Sequence, residues 1–268
     1  YATMIERDIR RIERARKELF TLNLGGTAIG TTINASDYYL HHIVPTLAAV
    51  TGYPLMQADD LFDATENLDG FVTISNTLKT CAVNLSKMCN DLRLLASGPR
   101  CGLAEFNLPA RQPGSSIMPG KVNPVIPEVM NQIAYKVIGN ELCVTMSGEA
   151  AQMELNAMEP VMAQCDFESA ELLMNGFDTL RTLCVDGITA NRERCADYVK
   201  NSIGVVTALN PIIGYKNSTK IAKEALATGR GVYDLVLEHG ILSKEELDTI
   251  LKPENMIRPV KLNIKPRK

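Results

Sequence analysis

The residues best equipped for chemistry lie in one stretch, Arg111-Gln112-Pro113-Gly114-Ser115-Ser116-Ile117-Met118-Pro119-Gly120-Lys121-Val122-Asn123-Pro124. Two glycines and three prolines oppose regular structure, so the stretch reads as a loop. Ser115 and Ser116 bring hydroxyls, Lys121 a positive charge and Asn123 amide donors. The loop leads to a helix start expected near Pro127, where free backbone N–H groups favour an anion. Together these groups could hold a carboxylate or a phosphate. A plain polar connector is the competing reading.

Other chemistries are weaker. A P-loop needs four residues between its glycines, then Lys and Ser or Thr. Gly114 and Gly120 have five between them, and Val122 follows Lys121. Gly25-Gly26-Thr27-Ala28-Ile29-Gly30-Thr31 has the spacing without the lysine. Neither G-x-G-x-x-G nor G-x-S-x-G occurs. His41 and His42 are adjacent and read as a solvated or packed pair rather than a metal site. His239 precedes Gly240 near a helix C-terminus, where a partial positive charge is favourable. Seven cysteines, Cys81, Cys89, Cys101, Cys143, Cys165, Cys184 and Cys195, are odd in number and never form C-x-x-C. That spacing argues against a zinc site or a disulfide framework and for reduced thiols in a cytoplasm.

The elements that must position the loop are helical. Phe71, Ile74, Leu78, Cys81, Leu85, Met88, Leu92 and Leu95 alternate steps of three and four. That heptad seam predicts a helix over 69–96, about 40 Å long, stopped by Gly98-Pro99. A second long helix begins near Pro127 and a third near Pro160, the latter carrying apolar residues as far as Ile188. Such stripes imply a bundle, with part of the seam facing other subunits; a bundle within one chain fits the periodicity as well. The opening pattern Ile5, Ile9, Ile12, Leu19 is helical, with Thr3 as a candidate N-cap, and reads as the continuation of a longer helix in a larger protein. After Ala190, short helices alternate with turns at Asn210-Pro211, Gly214 and Gly240. Ser218 is a candidate cap, and Ser243-Lys244-Glu245-Glu246 a capping box. The basic end from Lys261 reads as a loose tail. We therefore expect an all-α protein with a central long-helix domain over 1–190 and a small helical domain over 191–268.

Composition limits the partners. The 268 residues carry 28 Lys+Arg against 31 Asp+Glu, a formal net charge of -3, unlike the basic balance of a nucleic-acid protein. No apolar run approaches the ~20 residues that cross a bilayer. Neither nucleic acid nor membrane is expected as a partner.

The motif Gly114-Ser115-Ser116-Ile117-Met118-Pro119-Gly120-Lys121-Val122-Asn123-Pro124 resembles the signature of the aspartase/fumarase superfamily. Asn23 through Thr31, the heptad helix, Leu94 through Arg100, Leu155 through Pro160 and Asn210 through Tyr215 are similar to the same group, so the likeness covers essentially the whole chain. Val125-Ile126-Pro127-Glu128 and Met158-Glu159-Pro160 resemble its aspartase branch; the fumarase branch usually has Thr-Gln-Cys at 125–127. Ala157 departs from the usual valine, a small change in volume.

The resemblance implies a helical fold and the reversible elimination of ammonia from L-aspartate to give fumarate. Hydration of fumarate is the alternative, and a catalytically silent scaffold a third. It implies Ser115 as the base, Ser116, Lys121 and Asn123 as substrate-carboxylate ligands, and Glu128 as the acid that pairs with an active-site histidine. It implies a small-molecule substrate and a homotetramer whose sites are shared between subunits. No organic cofactor or protein metal ligand is implied, although a divalent cation activates some members. The family's Thr-His and Ser-Ser-Thr-Asn segments are not found, so this chain alone is expected to have little activity.

Overall fold

The computed structural model describes residues 1–112, 118 and 122–267. The chain forms two compact units, Tyr1–Thr189 and Ala190–Lys268.

In the first unit, α1 (Ala2–Ala15) is followed by α2 (Asp37–Thr51) and the short α3 (Asp63–Glu66). Three long helices then dominate: α4 (Asp69–Leu95), α5 (Val125–Glu149) and α6 (Glu159–Leu183). A two-residue parallel ladder pairs β1 (Thr21–Leu22) with β2 (Met56–Gln57). No helix is long and apolar enough to cross a membrane among the described residues.

The heptad seam is spent inside the chain. Leu78, Cys81, Leu85, Met88 and Leu92 are buried against Met130, Ala134 and Val137 of α5 and Leu173 and Leu180 of α6. Two long helices and α1 of the same chain cover this middle part of the seam, while Phe71, Ile74 and Leu95 stay half-buried. The helix ends as the sequence pattern predicts, at Leu95, and its 27 residues span about 40 Å. The third helix stops at Leu183, and Ile188 packs on the core from the segment beyond. Thr3 is not a cap, because α1 starts at Ala2 with Tyr1 in the N-cap position.

Polar clasps fix the order of the helices. Asn84 on α4 donates to both oxygens of the buried Asp8 at 2.9 Å, tying down α1. Lys79 meets Glu141 at 2.9 Å between α4 and α5. Asn140 on α5 donates to Ser169 and to Glu168 on α6, and Lys136 completes that cluster at 3.0 Å. A Cβ on Gly176 would stand 3.0 Å from Met130 Sδ, so glycine allows α6 and α5 to approach closely. These pairs place α4 and α6 antiparallel to α5.

The second unit comprises α7 (Arg192–Asn201), α8 (Val206–Thr228), α9 (Val232–Glu238), α10 (Lys244–Ile250) and α11 (Pro253–Met256). Its core includes Leu209, Ile213, Ile221, Leu235 and Leu247. The capping box forms as expected: Ser243 Oγ accepts from the Glu246 N–H, and Glu246 accepts from the Ser243 N–H. Ser218 does not start a helix. It lies buried inside α8, its hydroxyl 3.3 Å from Asn210 Oδ1. Asn210-Pro211 likewise sits within α8, and the break falls at Gly214, whose φ of 78° and ψ of 160° are non-helical. The basic end is not loose, because Arg267 is bonded to Ile212, Ile241 and Glu246.

Candidate active site

Proline at position 127 has no N–H, and the first helical bond of α5 runs from the Glu128 N–H to the Pro124 carbonyl at 3.1 Å. The N–H groups of Val125 and Ile126 therefore precede the hydrogen-bond ladder, at the positive end of the helix dipole. Asn123 and Glu128 are both half-buried around this first turn. Among the described residues, neither side chain has a hydrogen-bond or ion-pair partner. The first turn of α5 thus carries an amide, a carboxylate and backbone donors that have no partner among the described residues. Ser115, Ser116 and Lys121 lie outside the described residues.

Both flanks of the loop are anchored. On its near side, Arg111 donates through Nε to the Leu183 carbonyl at 2.6 Å and through Nη2 to Thr182 at 3.4 Å. A guanidinium there satisfies free carbonyls at the negative end of α6. On the far side, the buried Asn131 of α5 donates to Ser86 Oγ at 2.8 Å and to its carbonyl, and accepts from Arg93 at 3.1 Å. This network sets the start of α5 against the C-terminal half of α4. Sequence reasoning missed Asn131, although a polar residue four positions after Pro127 on the buried face was the available signal.

The other motifs stand at the opposite end of the bundle. Asn23 donates to Thr65 just before α4, and Gln57 donates to the Leu24 carbonyl at 2.8 Å. Gly30 has a φ of +86°, and a Cβ on it would stand 2.5 Å from the Phe62 backbone nitrogen. The backbone is thereby pressed against the 61–62 turn, and Thr27, Ala28 and Ile29 face solvent. Asn156, nearly fully buried, donates to the Ser147 carbonyl at 3.0 Å and accepts from the Met158 N–H at 2.8 Å. Segments 23–31 and 155–160 are thus separated from the start of α5 by the length of α4.

The remaining reactive groups do not form a centre. His41 and His42 are bonded through Nδ1 to the Asp37 and Tyr38 carbonyls four residues earlier in α2. His239 pairs with Glu224 at 2.8 Å. Burial pushes the Cys81 and Cys89 thiols up to about 12, which leaves them protonated and unreactive at neutral pH. All seven cysteines are free. Among the described residues, no group of three His, Cys, Asp or Glu side chains could hold a metal ion.

Asp166 on α6 is the unexpected carboxylate. Both its oxygens are buried and, among the described residues, have no hydrogen-bond partner. Burial pushes its carboxyl up to about 6, and the nearby Ser75 hydroxyl opposes the shift. Its position four residues after Met162 and three before Ser169, both buried, was the sequence signal.

A family model described as "Lyase" matches residues 1–139, and one described as "Fumarase C C-terminus" matches residues 205–258. The aspartate ammonia-lyase of Pseudomonas aeruginosa is 57% identical over 260 residues, covering 97% of this chain and 55% of the relative. A fumarate lyase:delta crystallin from Brucella melitensis, whose crystal structure is bound to cobalt, superposes with a TM-score of 0.91 at 47% identity, over 96% of this chain and 56% of that one. A class II fumarase from Schistosoma mansoni gives a TM-score of 0.90 at 32% identity, over 97% and 58%. The chain spans about half the length of the curated relatives it matches.

Proposed function

Because the chain belongs to the lyase family whose model matches residues 1–139, we propose that the protein is an ammonia-lyase that converts L-aspartate reversibly to fumarate and ammonia. The observation that carries this reading is the extent of likeness to aspartate ammonia-lyases, which takes in nearly the whole chain. The amino end of α5 supports it, since unspent donors beside an amide suit a substrate carboxylate.

In this reading Ser115, as alkoxide, takes the Cβ proton. The electron pair moves into the adjacent carboxylate, which becomes a doubly charged aci-carboxylate. Its collapse forms the double bond, and the amine leaves with the electrons of the C–N bond. A serine hydroxyl is a poor base in water, so donors and positive charge around it must lower its pKa. The accumulating charge must also be met by preplaced donors. Ser116, Lys121, Asn123 and the Val125 and Ile126 N–H groups supply them. Glu128 orients and charges the histidine that a further segment contributes.

Subunit sharing follows from the same reading. Segments 23–31 and 155–160 cannot reach the start of α5 along the ~40 Å helix that separates them within one chain. A homotetramer with antiparallel α4 helices from neighbouring copies would set one copy's loop beside another's opposite end. Seven free thiols fit a reducing compartment such as the cytoplasm.

Hydration of fumarate is the second reading, favoured by the likeness to a class II fumarase. Val125-Ile126-Pro127 opposes it, as the aspartase-like sequence at the helix start. Ammonia release from L-aspartate, set against hydration of fumarate by the same purified protein, separates the two. Hydration without ammonia release would overturn the proposal.

A further inference from the structure

The chain end of the second unit is clamped at both ends and unsupported between them. At one end Asn255 donates to the Thr249 carbonyl at 2.6 Å. At the other, the Arg267 N–H donates to the Ile212 carbonyl at 2.7 Å, and its guanidinium to Ile241 at 2.6 Å and to both Glu246 oxygens at 2.9 Å. Residues 258–266 make no backbone hydrogen bond among the described residues. Only Leu262 and Ile264 pack from this strap onto the helical core.

Beneath the strap is a half-open cleft of about 830 Å³, bounded by α7, α8, Ile250 of α10, Asn255 and Met256 of α11, and the strap itself. Ligand sites commonly measure about 300–1,000 Å³, so the cleft is of ligand size. Val205, Ile212, Leu262 and Ile264 give it apolar walls. Among the described residues, Arg258 is the one side chain of the lining that is charged at neutral pH, and no carboxylate lines the cleft. Among the described residues, Arg258 has no ion-pair or hydrogen-bond partner. Among them, its charge is thus uncompensated in the lining of a largely apolar cleft.

We propose that this cleft is a binding site for a small amphipathic monoanion, with its carboxylate on Arg258 and its apolar body between the α8 face and the strap. A single charge matches a single guanidinium, and an apolar body replaces water along four aliphatic side chains. A dicarboxylate such as fumarate should bind more weakly, since the lining offers its second charge no second cation and its small body covers little of the apolar wall.

Phenylbutyrate serves as the probe, with phenylbutyramide as its neutral counterpart, titrated into the purified protein. Methyl NMR of Val205, Ile212, Leu262 and Ile264 reports location, and calorimetry reports Kd. The site predicts saturable shifts at those methyls and binding roughly tenfold weaker for the amide, as loss of a charge-assisted hydrogen bond requires. Arg258→Gln should weaken phenylbutyrate to the level of the amide, and Arg258→Lys should retain most of the affinity. Arg258 is exposed and has no partner among the described residues, so neither change threatens the fold. Absence of saturable shifts at these methyls, unchanged affinity in Arg258→Gln, or equal binding of fumarate would each overturn the proposal.

Discussion

Replacing Asp166 by asparagine should make the protein more stable, and only where the carboxyl would otherwise be ionised. The folded value of about 6 lies above the ordinary 3.8, so the folded state holds the proton more tightly than the unfolded one. Stability is then greatest below the unfolded value and falls as pH rises through the folded value. A shift of this size corresponds to about 3 kcal/mol at pH 7, of which roughly 1 kcal/mol is lost between pH 5 and pH 7. Lys79, one turn beyond Ser75 on α4, is already paired with Glu141 and offers Asp166 no neutralising partner. The chain has no tryptophan, so urea unfolding is best followed by far-ultraviolet circular dichroism, at several pH values, for the protein and for Asp166→Asn. The difference between the two should grow with pH by the amounts above, then level off. Parallel stability profiles across pH 5–8 would show that the carboxyl is not held in a costly buried site.

Leu85 is fully buried, and Leu85→Asp should cost several kcal/mol and abolish cooperative unfolding of the first unit; a normal melting curve would refute the assigned packing of α4. Ser243→Ala should lower the stability of the second unit by about 1 kcal/mol, through loss of the capping box, with no loss if the cap is idle. Glu246 serves both that box and Arg267, so Ser243→Ala and Arg267→Ala should be non-additive by at least about 0.5 kcal/mol in a double-mutant cycle. Strict additivity would mean that the strap's clamp and the cap act independently.

The bundle was legible because its signal is periodic. The stripe from Phe71 to Leu95 announced a helix whose ends and buried face the structure reproduces. What periodicity left open was what covers that face, since a stripe looks the same whether its partner belongs to the same chain or to another. The second unit was harder to read. Pro211 looked like a turn residue, yet α8 accommodates it and breaks instead at Gly214, where the backbone needs a positive φ. Arg267 looked like part of a solvated tail; only the folded structure brings Glu246 and two carbonyls to it. Around the start of α5, a motif pointed to Asn123 and Glu128, while Asn131 there and Asp166 towards the other end of the bundle, polar residues on buried faces, passed unnoticed among their apolar neighbours.

The assignment of Ser115 as the base is tested most directly by Ser115→Ala in the assembled protein, with L-aspartate as substrate and fumarate followed by ultraviolet absorbance. Turnover should fall by at least ~10²–10⁴-fold, as for loss of a general base, with helicity and oligomeric state unchanged. Near-normal turnover in a folded variant would contradict the account.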